Sequence, residues 1–241
     1  MPSEIMASLE VSNLSVRYGK VPALHEVSVR IGRGQVVTII GANGAGKSTL
    51  MKAIMGLVKP VGGSVALLGK PITGLDPDRI VPLGIALVPE GRRLFAPMTV
   101  QENLEMGAYR RVDPLEVARD MERVLQYFPD LKAKLPLSAG SLSGGQQQMV
   151  AVARALMAAT RVMMLDEPTI GLAPAVVDVI ANVIGEIRDS GVDVLLVEQN
   201  AEMALEVADY GYVMEQGRVV LAAPAGELAV NPEVQRAYLG I

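Results

Sequence analysis

Nine consecutive residues, Gly41-Ala42-Asn43-Gly44-Ala45-Gly46-Lys47-Ser48-Thr49, have the types and order needed to hold a chain of phosphates. They satisfy G-x-x-x-x-G-K-[ST] in full. They lie between an apolar run, Val36-Val37-Thr38-Ile39-Ile40, and Leu50-Met51-Lys52-Ala53-Ile54, so strand, turn and helix follow in the order the motif needs. A triphosphate carries several negative charges and demands many donors in a small concave space. Glycines at 41, 44 and 46 let successive backbone N–H groups turn toward one centre without a Cβ clash. A helix opening near Lys47 adds free N–H groups and the positive end of its dipole. Lys47 is then placed to reach the β- and γ-phosphates, and the Ser48 hydroxyl to ligate Mg²⁺.

Acidic residues follow at the ends of later apolar runs. Val162-Met163-Met164-Leu165 leads directly into Asp166-Glu167-Pro168. A carboxylate at the end of a buried strand suits Asp166 to hold Mg²⁺. Glu167, next to it, is placed to orient or deprotonate an attacking water. The strand Val192–Val197 ends in Glu198-Gln199-Asn200, and parallel sheets gather ligand groups at the carboxyl ends of their strands, which turns Gln199 toward the phosphates. Tyr18, shortly before the phosphate loop in a chain of few aromatics, is a candidate platform for adenine. The single histidine, His25, falls in Ala23-Leu24-His25-Glu26 and reads as a turn residue without a catalytic role. Ser143 is a natural N-cap for a long helix reaching Ala159, and Gly144 and Gly145 leave the following N–H groups accessible.

The elements that position these groups read as alternating strands and helices, an α/β core around a parallel sheet. Leu9–Val11, Ser15–Arg17 and Val27–Ile31 are short β-like segments divided by Gly19-Lys20-Val21-Pro22. Gly62 to Gly69 is another strand in a β-rich edge of the fold, and Ile85–Val88 a second buried parallel strand ending in the polar loop Pro89-Glu90-Gly91-Arg92-Arg93. From 99 to about 128 the periodicity is helical, Pro114 opens a segment, and Pro129 and Pro136 bracket a loop. A helix over 174–189, a hairpin around Gln216-Gly217 and a short helix from Pro232 to Leu239 complete the chain.

Composition sets outer bounds. The 241 residues are half apolar and one-fifth charged, an ordinary globular balance. A net charge of −4 with no basic block argues against nucleic acid as a partner. The absence of cysteine excludes a disulfide framework and thiolate metal sites. Met1–Met6 lacks the basic and apolar regions of a signal peptide, and the apolar runs fall far short of the ~20 residues a membrane helix requires. Any link to a membrane is expected to run through partner proteins.

The phosphate loop, Leu142-Ser143-Gly144-Gly145-Gln146 and Leu165-Asp166-Glu167, in this order, resemble the nucleotide-binding subunit of an ATP-binding cassette (ABC) transporter over about residues 7–241. The resemblance implies a P-loop ATPase fold with an antiparallel β subdomain and a helical subdomain near 92–158. It implies ATP and Mg²⁺ as cofactors. Tyr18 then stands as the adenine-stacking residue, and Asn43, Gly44, Gly46, Lys47, Ser48 and Thr49 match the phosphate loop. Ser143, Gly144, Gly145 and Gln146 match the signature that completes a partner subunit's ATP site. Asp166 and Glu167 match the magnesium-holding acid and the catalytic base. Glu90 occupies the place of a glutamine that senses Mg²⁺ and the membrane partner, and Gln199 that of a histidine contacting the γ-phosphate. Glutamate at 90 adds negative charge, for which Arg92 and Arg93 are candidate compensation. Glutamine at 199 keeps an N–H donor.

Val88-Pro89-Glu90-Gly91-Arg92-Arg93-Leu94-Phe95, Leu196-Val197-Glu198-Gln199-Asn200 and Arg236-Ala237-Tyr238-Leu239-Gly240 look like the branched-chain amino-acid importer ATPases of the LivF type. The implied partners are a second ATPase subunit, integral membrane permeases and, indirectly, a periplasmic binding protein. The implied place is the cytoplasmic face of the inner membrane. Two further readings keep the fold: a soluble ATP-driven switch in DNA repair or translation, and a regulatory nucleotide-binding subunit with weak hydrolysis. Chains of the first kind carry paired cassettes, coiled-coil insertions or basic arms, none visible here. The phosphate-loop reading predicts that Lys47→Ala loses nucleotide affinity; unchanged binding in an ATP titration would contradict it.

Overall fold

A computed structural model describes residues 7–239. The leader reading of Met1–Met6 and the Gly240 end of the terminal motif lie outside these residues. The chain opens with two long strands, β1 (Ala7–Tyr18) and β2 (Val21–Gly32), joined antiparallel through the Gly19-Lys20 turn. This corrects the expected three short segments: Val21, Pro22 and His25 belong to β2, so His25 is a strand residue, and its N–H donates to Gly217 O at 2.8 Å. β-Bulges interrupt the β1–β2 register, and they broke the alternation on which the sequence reading of one long strand depends.

β3 (Val36–Ile40) runs into the phosphate loop and α1 (Lys47–Ile54). β4 (Gly62–Leu67) and the short β5 (Lys70–Pro71) add to β1, giving an antiparallel sheet of order β2-β1-β4-β5. After α2 (Pro77–Ile80), β6 (Ile85–Val88) enters the second sheet, followed by α3 (Val100–Gly107), α4 (Pro114–Tyr127) and α5 (Gly144–Leu156). The segment bracketed by Pro129 and Pro136 is mostly a 3₁₀ turn. α5 stops three residues before Ala159, which takes φ +53° and cannot continue the helix.

β7 (Val162–Asp166), α6 (Pro174–Asp189), β8 (Asp193–Glu198) and α7 (Ala201–Val207) come next; α7 is absent from the sequence reading. The hairpin of β9 (Tyr210–Glu215) and β10 (Arg218–Pro224) is as expected. The tail carries α8 (Ala225–Ala229) and α9 (Pro232–Val234), then a π-helical turn over Gln235–Leu239.

The larger sheet has order β10-β9-β3-β8-β7-β6, with every pairing parallel except β9 with β10. Alternate residues of its central strands supply two separate cores. Val36, Ile40, Met163, Leu165, Val194 and Leu196 pack with the helices. Val37, Ile39, Val162, Met164, Leu195 and Val197 pack with α1 and the antiparallel sheet. Burial on both faces explains why these strands read as continuous apolar runs. The α3–α5 region is tied by Asp120, which is buried and pairs with both Arg111 and Arg123, while Arg111 also donates to Met157 O.

Phe128, which closes α4, is 1% exposed and among the largest fully buried side chains. Its replacement by alanine leaves a cavity in the core shared by sheet and helices. Phe128→Ala is expected to cost about 3–5 kcal/mol in a denaturant unfolding curve; a loss under 1 kcal/mol would contradict this packing.

Candidate active site

The parallel topology brings four chain segments to one edge of the sheet. The phosphate loop leaves β3, Asp166 and Glu167 leave β7, Glu198 and Gln199 leave β8, and Glu90 follows β6 by two residues. A cavity of about 640 Å³ opens there, and Asn43, Gly44, Gly46, Lys47, Ser48, Thr49, Glu90 and Glu167 line it. Pro22, Ala23, Ile170, Gln216 and Gly217 complete its wall. The sequence reading did not assign these five. The Gly217 contacts, N–H to Ala45 O at 2.9 Å and O from His25 N–H, bind the hairpin tip to β2 and the phosphate loop.

Within the loop the glycines divide their work. Gly44 and Gly46 take φ +84° and +105°, and Gly46 is the N-cap of α1, as the nest of N–H donors requires. Gly41 has no positive φ and does not line the cavity. Its lack of a side chain admits the Met214 carbonyl of β9, so its role is close packing, a correction to the N–H role read from the sequence. Ala45 is buried and also stands off the lining.

Lys47 is only 4% exposed. Its ammonium donates to Gly41 O at 2.7 Å and Ala42 O at 3.3 Å, and pairs with Glu167 Oε1 at 3.2 Å. Three oxygens therefore hold this cation in a site shielded from water. Glu167 is 8% exposed and adopts φ +49°, a conformation that a non-glycine residue keeps only where surroundings enforce it. Its N–H donates to Val197 O at 2.8 Å, which anchors that turn to β8.

Asp166, at the last position of β7, accepts from the Ser48 hydroxyl at 3.2 Å. Burial pushes its carboxyl up from the ordinary range, and the Glu167 and Glu90 charges add to that; the Ser48 bond and Lys47 oppose it. A buried carboxylate in excess negative field, beside a hydroxyl oxygen, suits a small hard dication that draws its remaining ligands from phosphate and water. Among the described residues there is no cluster of three or more acidic, histidine or cysteine side chains suited to a metal. Ser48 and Asp166 are the groups that fit Mg²⁺. Glu90 is exposed and lines the same cavity.

Other expected residues lie elsewhere. Tyr18 ends β1, is 48% exposed and does not line the cavity. Gln199 lines an adjoining recess of about 680 Å³ with Thr169, Gly171 and Asn200; Ile170 is common to both cavities. Ser143 to Gln146 also stand apart from the phosphate cavity and open α5. Ser143 Oγ accepts from Gln146 N–H at 3.4 Å, and Gln146 Oε1 accepts from Ser143 N–H at 3.1 Å, a complete capping box. Gly144 lies against the Arg92 guanidinium and Gly145 against Val176, so both glycines also serve close approach. Arg92 thus faces α5, and neither Arg92 nor Arg93 is within ion-pairing distance of Glu90 among the described residues; the expected compensation is not made. Arg92 and Arg93 both have positive φ, and their carbonyls accept from Arg154, whose guanidinium lies over Phe95.

The family model "ABC transporter" matches residues 24–170. The chain belongs to the ABC transporter family. It is 46% identical over 232 residues to the high-affinity branched-chain amino acid transport ATP-binding protein BraG of Pseudomonas aeruginosa, covering 96% of this chain and 99% of that one. It is 40% identical over 234 residues to the probable branched-chain amino acid transport ATP-binding protein LivF of Archaeoglobus fulgidus, covering 97% and 99%. Among solved structures, the ADP conformation of an ATP-binding cassette of an ABC transporter superposes with a TM-score of 0.86 at 30% identity, covering 98% of this chain and all of the other. The fold is that of the ABC cassette ATPases. No helix among the described residues is long and apolar enough to cross a membrane.

Because the folded state raises the Asp166 carboxyl, the protonated form is the better tolerated. Its contribution to stability is present at acid pH and is lost as pH rises through the folded-state value. Asp166→Asn is therefore expected to keep or raise the melting temperature of the nucleotide-free chain near neutral pH. The same variant is expected to show a smaller rise in melting temperature on addition of MgATP than the wild type. A marked drop in nucleotide-free melting temperature would contradict a burial cost that exceeds the compensation from Ser48 and Lys47.

Proposed function

We propose that this chain is an ATP-hydrolysing subunit of a branched-chain amino-acid importer, attached to the cytoplasmic side of the inner membrane through permease subunits. The observation that carries the catalytic reading is the joint placement of Lys47, Ser48, Asp166 and Glu167 at the phosphate cavity. The substrate rests on the two relatives, whose names specify branched-chain amino acid transport over almost the whole chain. That likeness also disfavours a soluble switch outside transport.

In this reading the phosphate loop and Lys47 grip the β- and γ-phosphates, and Tyr18 stacks on adenine beyond the cavity wall. Ser48 and Asp166 would hold Mg²⁺, with Glu90 lining the same cavity; the ion would supply neutralisation of the phosphate charge. Phosphate oxygens compete with Glu167 for the Lys47 ammonium. Once Lys47 turns to the phosphates, the Glu167 carboxylate is released to accept a proton from water. The water oxygen attacks the γ-phosphorus while the bond to the bridging oxygen breaks and ADP leaves. Gln199 donates its side-chain N–H to the γ-phosphate when the adjoining recess and the cavity close together.

Ser143, Gly144, Gly145 and Gln146 do not reach their own chain's phosphate cavity. They are suited to a nucleotide held by a second ATPase subunit, so two cassettes enclose ATP between them. The residues near 92–158 act as a helical subdomain that carries this turn and meets the permeases, and a periplasmic binding protein delivers the amino acid to the assembly. ATP joins the two halves and its hydrolysis parts them, a population shift driven by the γ-phosphate.

Glu167→Gln, run on a sizing column with and without MgATP, tests this. The variant is expected to bind ATP, lose turnover and double in mass with nucleotide if one chain supplies both halves. A monomer that still binds ATP points to an obligate, different second ATPase subunit. Near-normal turnover would remove Glu167 as the base, and failure to bind ATP would overturn the whole reading.

A further inference from the structure

Among the described residues, Glu198 is the one buried carboxylate at this edge of the sheet without a role in the steps above. It closes β8 and is 2% exposed. Its two oxygens serve two different loops. Oε1 accepts from the Thr169 N–H at 3.0 Å and the Thr169 hydroxyl at 2.6 Å. Oε2 accepts from the N–H groups of Gln199 at 3.1 Å and Asn200 at 3.4 Å. All four donors are neutral, so the charge is held by hydrogen bonding alone in these contacts, and only an acceptor-only group can satisfy both sides. A glutamine would set its amide N–H₂ against one pair of donors.

Thr169 lies two residues after Glu167, and Gln199 adjoins Glu198 itself. The Glu167-to-Thr169 turn is thus fastened twice to the end of β8, through Glu167 N–H to Val197 O and through Thr169 to Glu198. Ile170, next in the chain, is the wall shared by the phosphate cavity and the recess that holds Gln199.

We propose that Glu198 is a positioning residue that holds the loop after Glu167 and the loop carrying Gln199 as one body. This rests on the roles given above to Glu167 and Gln199. Four hydrogen bonds converge on one carboxylate at the end of a fully buried strand, so the two loops are tied to each other where they leave their strands. Movement of the Thr169–Leu172 segment during closure carries Gln199 with it. The base and the γ-phosphate contact therefore keep a fixed spacing as they approach the same phosphate.

The test is made on the full chain in its ATPase-competent dimer. Glu198→Gln is expected to leave ATP affinity within about twofold while kcat falls about 10- to 100-fold, the penalty of a misplacement on the order of 1 Å. Gln199→Ala lowers kcat in the wild type, and adding it to Glu198→Gln costs little more, because the two act as a unit. Wild-type kcat in Glu198→Gln, parallel loss of ATP affinity, or losses that simply multiply in the double variant would each overturn the proposal. If Glu198→Gln does not fold, Thr169→Val carries the same comparison, losing one bond to Oε1 while keeping the backbone donor. Glu167→Gln is run alongside. If it retains turnover, the base assignment fails and the proposal with it. If it is inactive while Glu198→Gln and Thr169→Val are unimpaired, the proposal alone falls.

Discussion

Charge held away from water at the end of an apolar sheet is the constraint on which the rest of this molecule depends. Lys47, Asp166, Glu167 and Glu198 are each less than a tenth exposed, and the strands that deliver them are buried along their whole length. Burying any of these groups alone costs free energy. The surroundings offset that cost by specific contacts: loop carbonyls and Glu167 for Lys47, the Ser48 hydroxyl for Asp166, and four neutral donors for Glu198. Asp166 and Glu198 are nevertheless pushed up by burial, so these contacts offset the cost only in part.

The backbone framework follows from that constraint. Parallel pairing of β3 with β8 and of β8 with β7 aligns their carboxyl ends, and a one-residue slip in any ladder would turn every side chain to the opposite core. Two cores, one on each face, make such a slip costly. The left-handed backbone at Glu167 shows the same logic on a smaller scale. Its hydrogen bond to Val197 holds a conformation the residue would not choose, and the carboxylate is thereby aimed at Lys47 rather than along the strand.

Close approach also shaped the sequence beyond the phosphate loop. Gly41 beneath β9, Gly144 beside Arg92 and Gly145 beside Val176 are places where a Cβ would displace a neighbour. The loop after β6 spans two such regions: Glu90 faces the phosphate cavity, while Arg92 lies on the turn that opens α5. One short segment, held by Arg154 through two carbonyls, therefore connects the phosphate cavity of this chain with the turn that opens α5.

By itself, the sequence determined what is local and periodic. The phosphate loop, the acids closing β7, the helix at 174–189, the capping Ser143 and the parallel core all follow from residue type and spacing within one segment. What required the tertiary structure were contacts between segments distant in the chain. The union of β1 as one strand was hidden by bulges, and His25 was misread because pairing with β1, not local turn propensity, decides its conformation. The packing role of Gly41 depends on Met214, and the orientation of Arg92 on Gly144. Pro22, Ala23 and Gln216 carry no motif, and Glu198 gains its four partners from residues on two loops. Motifs encode chemistry through side chains and local backbone; spacing between groups comes from burial and register, which only the folded chain decides.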